Sequence, residues 1–378
     1  IFFQMATGPG TTAGQSVGIR IKNSSSLKTI SLDPDYDYSK LGETWSSPRV
    51  LRMPIDKKVN NDIYVAVMGA GFGNEFSGVG SGVFLINLED TDKPYKIEKF
   101  IEIPDIANSK DGLKEINNSV PGDPMIISAD SATNYTNYRG ALVYVNDYEG
   151  KITKINLTDM EKDKFGVPIS LYDSYVMFDS QTTVDNARYM FHSMDATIGR
   201  KTKKLWLFAG SGDMNNLVDK NSNIKNILLG VADDDFPYYH NPAPTNPPPS
   251  INNLLNCELT TGVTDILLCP TIPNTPAGGL EKVGWYVELP DAKKVTAEPT
   301  VAGGVVYYPV YKPPLDPCKL GPATICAIDD ECGTNLSGDL GTDAKDDECH
   351  YVGLGILSKI VAFGGKLYAN IAGETADG

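Results

Sequence analysis

Helical periodicity is nearly absent from these 378 residues, and that absence excludes a helical bundle. No apolar run is long enough for a transmembrane helix, so membrane insertion is not expected. Ile1-Phe2-Phe3-Gln4-Met5 lacks the basic n-region and long h-region of an intact signal peptide, and both ends are abrupt. The chain reads as an excised piece of a longer secreted protein. Positive charge is in deficit: the net charge of −15 repels phosphate backbones and argues against nucleic acid or a basic face on anionic lipid. The motifs G-x-S-x-G, H-E-x-x-H and the P-loop are missing, as is the adjacent cysteine pair of some quinoproteins. His192, His240 and His350 are scattered. His192-Ser193-Met194-Asp195 holds triad residue types, but neighbours this close along one strand rarely face one another. No enzyme is expected.

What is present is strand and turn. Short β-branched and aromatic runs are bounded by Gly, Asn and Asp. Asp62–Met68 runs through glycines to Gly82–Leu88, and Ala141–Val145 through Asn146–Gly150 to Lys151–Leu157. Lys204–Ala209 leads past Gly210-Ser211-Gly212-Asp213 to Ile227–Val231, Val305–Val310 precedes Thr324–Ile328, and Lys366–Asn370 closes the series. This recurrence predicts an all-β protein, a β-propeller of about seven irregular blades at roughly 45 to 55 residues per blade. A stacked sandwich is the alternative. Trp206 and Trp285 sit in apolar runs and are expected to fill space between blades. Residues 1–40 read as a lead-in or first blade strands, and 41–378 as the propeller. Residues 236–278 interrupt it: their prolines fix φ and remove donors, so this is a loop insertion, not interior strand.

Six cysteines, Cys257, Cys269, Cys318, Cys326, Cys332 and Cys349, form an even set with no C-x-x-C pair. Disulfides in an oxidising compartment fit better than zinc. Fifteen pairings are open. Cys257–Cys269, Cys318–Cys326 and Cys332–Cys349 are favoured because each closes a short loop, the first stapling the insertion.

The acidic loops raise the question of calcium as a cofactor. Asp33-Pro34-Asp35-Tyr36-Asp37 spaces Asp33, Asp35 and Asp37 like the start of an EF-hand loop, without its later glycine and glutamate. Asp219, Asn221 and Asn223 have D-x-N-x-N spacing, and an acidic stretch runs from Asp339 to Glu348. Stretches of this kind are more often solvated turns than sites. Tyr135, Tyr138, Tyr238 and Tyr239 are candidates for stacking on sugars.

Several stretches together carry a family resemblance. Leu41-Gly42-Glu43-Thr44-Trp45-Ser46-Ser47-Pro48 comes first, then Met68-Gly69-Ala70-Gly71-Phe72 with Gly82–Leu88, then Tyr144-Val145-Asn146-Asp147-Tyr148-Glu149-Gly150-Lys151-Ile152. Phe208-Ala209-Gly210-Ser211-Gly212-Asp213 follows, then Gly284–Leu289 with Glu298–Val306, and last Gly353–Ser358. In this order, from about residue 40 onward, they resemble the C-terminal propeller of the PilC/PilY family associated with type IV pilus tips. The resemblance implies a non-enzymatic extracellular module, at a pilus tip on the bacterial surface, supporting pilus assembly and adhesion. It implies minor pilins as partners, together with a host-cell or abiotic surface receptor. It also implies a calcium loop before the Tyr144 strand, aligned with Asp130 and Asn134, where only Asp130 is anionic and Arg139 adds positive charge. The rival classes are a propeller enzyme of quinoprotein dehydrogenase type and a free carbohydrate- or matrix-binding propeller.

Overall fold

The computed structural model describes residues 34–55, 61–73, 79–103, 118–128, 140–240, 248–257, 283–340 and 349–375, and the backbone of two further strands, 3–6 and 18–21. Those two, β1 (Phe3–Ala6) and β2 (Gly18–Ile21), form an antiparallel pair of their own. Four larger sheets follow in chain order.

The first sheet is a meander of β3 (Arg49–Pro54), β4 (Asp62–Gly69), β5 (Gly82–Asn87) and β6 (Ile97–Glu102). The second repeats the plan with β7 (Met125–Ile127), β8 (Ala141–Asn146), β9 (Lys151–Leu157) and β10 (Ser174–Asp179). The third contains β11 (Asp195–Ile198), β12 (Leu205–Gly210), β13 (Ile227–Asp233), β14 (Leu255–Cys257) and β15 (Gly284–Glu288), ordered β11-β12-β13-β15-β14. The fourth joins β16 (Lys294–Val295), β17 (Thr300–Ala302), β18 (Val305–Tyr311), β19 (Pro322–Asp329), β20 (His350–Leu357) and β23 (Ile371–Thr375). Between its last two strands lies the hairpin of β21 (Val361–Phe363) and β22 (Lys366–Tyr368), turned by Gly364 and Gly365 at positive φ.

The sheets stack face to face in sequence order, which explains why the strands read as continuous apolar runs. Ala141, Val143 and Val145 of β8 pack with Val65, Val67, Val83 and Leu85 of the first sheet. Leu142 and Tyr144, the alternate residues, pack with Leu205, Leu207, Leu229 and Val231 of the third. Trp206, Phe208 and Trp285 leave the other face of the third sheet and meet Val306, Tyr308 and Ile328 of the fourth. With side chains alternating along a strand, two buried faces require apolar residues at every position. Burial of each large one stabilises by about 1.5–3 kcal/mol. The outer face of the first sheet is covered by Tyr36, Tyr38 and Leu41. Trp206 and Trp285 thus fill the gap between sheets, as expected.

Three expectations are corrected. Four blade-like sheets stand among the described residues instead of about seven, because long connections take up the length assigned to extra blades. No hydrophobic core cluster joins the first sheet to the fourth among the described residues, so the sheets are not a closed propeller. The cysteine pairing also differs. Cys326 bonds Cys349, with Cα atoms 4.5 Å apart, in place of Cys318–Cys326 and Cys332–Cys349. Sheet register decides this: Ile325 pairs with His350 across β19 and β20, which sets Cys326 opposite Cys349 one step further on. Cys332 is disulfide-bonded, Cys318 is a free exposed thiol, and Cys257 is a free half-buried one. Cys269 lies outside the described residues. The insertion is therefore not held by a Cys257–Cys269 staple. β14 docks it by parallel pairing with β15, and Ser250 bridges Asp179 of the second sheet.

Candidate functional site

The glycine turns singled out in the sequence converge at one end of the stack. β4 runs into Gly69–Phe72, β8 into Asn146–Gly150 and β12 into Gly210–Asp213. The segments feeding each following sheet are stitched across these ends. Gly71 N–H donates to Val120 O (2.9 Å), Tyr148 N–H to Ser119 O (2.7 Å), Gly212 N–H to Tyr189 O (2.8 Å) and Val295 N–H to Ser211 O (3.0 Å). Gly150 is required by its turn: φ is +76°, and a Cβ there would lie 2.1 Å from Ser180 Oγ.

Aromatic side chains from these turns and crossings form a ladder. Trp45 lies 5.1 Å from Phe191, centroid to centroid, Phe191 lies 6.2 Å from Phe72, and Phe72 stands edge-on to Tyr148 at 5.0 Å. Tyr148 stacks on Tyr189 at 4.6 Å with the planes 3° apart. These separations are those of favourable aromatic pairs. The Tyr148 hydroxyl donates to Asp213 Oδ1 at 2.9 Å. Tyr189 is buried and Trp45 is 61% exposed, so the ladder rises from the core to the surface.

Beneath the ladder, the buried Lys151 ammonium donates to Asn118 Oδ1 and Glu149 Oε2 and lies 3.4 Å from Asp147 Oδ2. Burial alone would depress the lysine, but Asp147 and Glu149 outweigh it and raise its pKa. Burial pushes the Asp147 carboxyl up, against the pull of Lys151. A lysine charge thus sits inside the carboxylate cluster of the turn.

The predicted calcium ligands that lie among the described residues are held in ion pairs and turn bonds. Asp35 pairs with Lys93 at 2.6 Å. Asp37 accepts the Ser39 N–H, and bonding to Ser39 lowers its pKa. Asp219 accepts the Asn221 N–H and Asn221 the Asn223 N–H, while Lys294 Nζ donates to the Asp219 carbonyl at 2.9 Å. These are turn-forming bonds, and a lysine ammonium stands at the Asp219 loop. Asp33, Asp130 and Asn134 lie outside the described residues, as do Tyr135, Tyr138 and residues 341–348 of the acidic stretch. Among the described residues, no three His, Cys, Asp or Glu side chains converge as a metal-ligand set.

The triad-like residues point to different partners. Ser193 Oγ accepts the Asp123 N–H at 2.5 Å, Asp195 accepts the Val301 N–H at 2.8 Å, and the buried His192 Nε2 has no hydrogen-bond partner. His240 pairs with Asp163 at 3.2 Å, and His350 lies on β20. Of the described tyrosines proposed as sugar platforms, Tyr239 is buried and Tyr238 half exposed. Sequence reading missed the ladder. Its signal was an aromatic residue placed in each glycine-turn motif: Trp45, Phe72 and Tyr148.

The fold class is all-β, built of stacked, mainly antiparallel sheets of propeller-blade type. No family model matches the chain, and no curated protein does. Among solved structures, the crystal structure of the Pseudomonas aeruginosa PilY1 C-terminal domain is similar, with a TM-score of 0.54 and 15% sequence identity. The match covers 89% of this chain and 72% of that one. The fold is therefore PilY1-like along nearly the whole chain, as the sequence resemblance implied. No helix among the described residues is long and apolar enough to cross a membrane.

Proposed function

We propose that this chain is a type IV pilus module that works by binding: an extracellular tip domain that contacts minor pilins and supports pilus assembly and adhesion. The observation that carries this reading is the PilY1-like fold over 89% of the chain. The placement of the motif turns is consistent with it, since they meet at one end and are joined there by backbone bonds and aromatic contacts. A binding role also suits the polar groups at that end. Ser193, Asp195 and Asp213 are held in structural hydrogen bonds, and Lys151 is locked among buried partners. The test is co-purification of the chain with each minor pilin from the same bacterium. A stable complex with at least one supports the proposal, and failure with all of them overturns it.

A further inference from the structure

The turn after β8 brings an amine, a carboxamide and two carboxylates to one buried point. Lys151 Nζ donates to Asn118 Oδ1 and to Glu149 Oε2, and Asp147 Oδ2 stands 3.4 Å from it. All four residues are buried. The turn is closed by Lys151 N–H donating to Asp147 Oδ1 (2.9 Å) and Asp147 N–H donating to Lys151 O (3.0 Å). The Asn118 segment is tied to the turn where Tyr148 N–H donates to Ser119 O (2.7 Å). Its carboxamide is oriented as well: the oxygen faces Lys151 Nζ, while Nδ2 donates to Ile103 O at 3.4 Å. One carboxylate would match the lysine's charge. Here there are two and an amide, and Asp147 Oδ2 is buried with no hydrogen-bond partner. A buried acceptor in that state is costly until it receives a proton.

We infer that Lys151 and Asn118 become joined, side chain to side chain, by an isopeptide bond, with Glu149 carrying the proton that the exchange requires. Burial opposes the charge on Lys151 while Asp147 and Glu149 favour it, so the resting lysine is protonated. Asp147 is the base that removes this proton: burial pushes its carboxyl up, and its unpartnered Oδ2 faces the ammonium. The neutral Nζ then attacks Asn118 Cγ and an N–C bond forms. Glu149 takes the second proton from Nζ and passes it to Asn118 Nδ2. The Cγ–Nδ2 bond breaks, ammonia leaves, and the proton held by Asp147 departs with it as ammonium. Nothing is oxidised or reduced. Contact between amine and amide replaces the collision that makes this exchange slow in water. Burial also withholds the water that would hydrolyse the product.

This goes beyond the pilus reading and stands if that reading fails. The test is the intact mass of the folded chain, measured after full reduction and denaturation. The chain should be lighter than its sequence by one ammonia, about 17 Da. Tryptic digestion should yield a branched peptide that joins Asn118 to Lys151. Lys151→Arg and Asn118→Ala should each restore the sequence mass. Asn118→Asp should still form the bond, with loss of one water, about 18 Da, in place of ammonia. Glu149→Gln keeps both reactants and should leave most of the chain unlinked, with near-ultraviolet circular dichroism like the parent's. A parent chain of full sequence mass overturns the inference. So does an ammonia loss that persists in Lys151→Arg, which marks a succinimide at an asparagine. A Glu149→Gln chain linked as fully as the parent overturns the role given to Glu149.

Discussion

Lys154 of the second sheet and Asp233 of the third meet at 2.6 Å, with neither side chain open to solvent. The Tyr144 hydroxyl donates to the same carboxylate oxygen at 2.7 Å, and Lys154 also donates to the Tyr238 carbonyl. This polar pin crosses an otherwise apolar interface, and burial depresses the lysine's pKa even with Asp233 beside it. Removing one partner strands a buried charge. Lys154→Met and Asp233→Asn are each expected to lower stability by about 3–5 kcal/mol, and the double variant by less than their sum. Urea denaturation checks this; strict additivity would show that the pair is not coupled.

His192 gives stability a pH dependence of definite sign. Burial lowers its folded pKa to about 4, from 6.5. As pH falls from 6.5 towards 4, the unfolded imidazole takes up a proton that the folded one refuses. Stability therefore declines with acidification through that window, by about 3 kcal/mol from this residue. His192→Gln should make the decline shallower by a comparable amount in urea titrations at successive pH values. Parallel profiles would contradict the assignment.

Gly230 lies directly across from Trp285 on neighbouring strands. A Cβ there would come within 2.5 Å of the indole, which donates to the Asp330 carbonyl at 3.0 Å. Gly230→Ala is expected to cost about 1–3 kcal/mol by overpacking. A shift in the buried-tryptophan emission should accompany the lower denaturation midpoint, and unchanged emission would count against the contact.

The cysteines predict an order of labelling. Cys318 is exposed and should react with iodoacetamide in the native chain. Burial raises the Cys257 thiol to about 11, so it should label only on unfolding. Non-reducing digestion should recover Cys326 linked to Cys349, and Cys326→Ser should cost about 3 kcal/mol. A Cys318–Cys326 peptide would refute the pairing.

The strands were legible because both faces of the inner sheets are buried. Ala141–Val145 had to be apolar at every position, and an uninterrupted run of that kind is visible without coordinates. Turn glycines such as Gly150 were legible for the same reason: only one residue type fits. What could not be read was whatever depends on register or on long-range approach. Cys349 finds Cys326 through strand alignment, not through loop length. Trp45 meets Phe191 across more than a third of the chain, and no local pattern announces that contact. The blade count failed because loop length and strand length are interchangeable in a spacing estimate.

The Cys326–Cys349 bond also has a mechanical meaning. A pull along the chain from β19 towards the C-terminus passes through the sulfurs and bypasses the stretch between them. Roughly 75 Å of contour length is thereby withheld from extension. Under such a pull the fourth sheet cannot pay out that slack, because the covalent clip joins β19 directly to the start of β20.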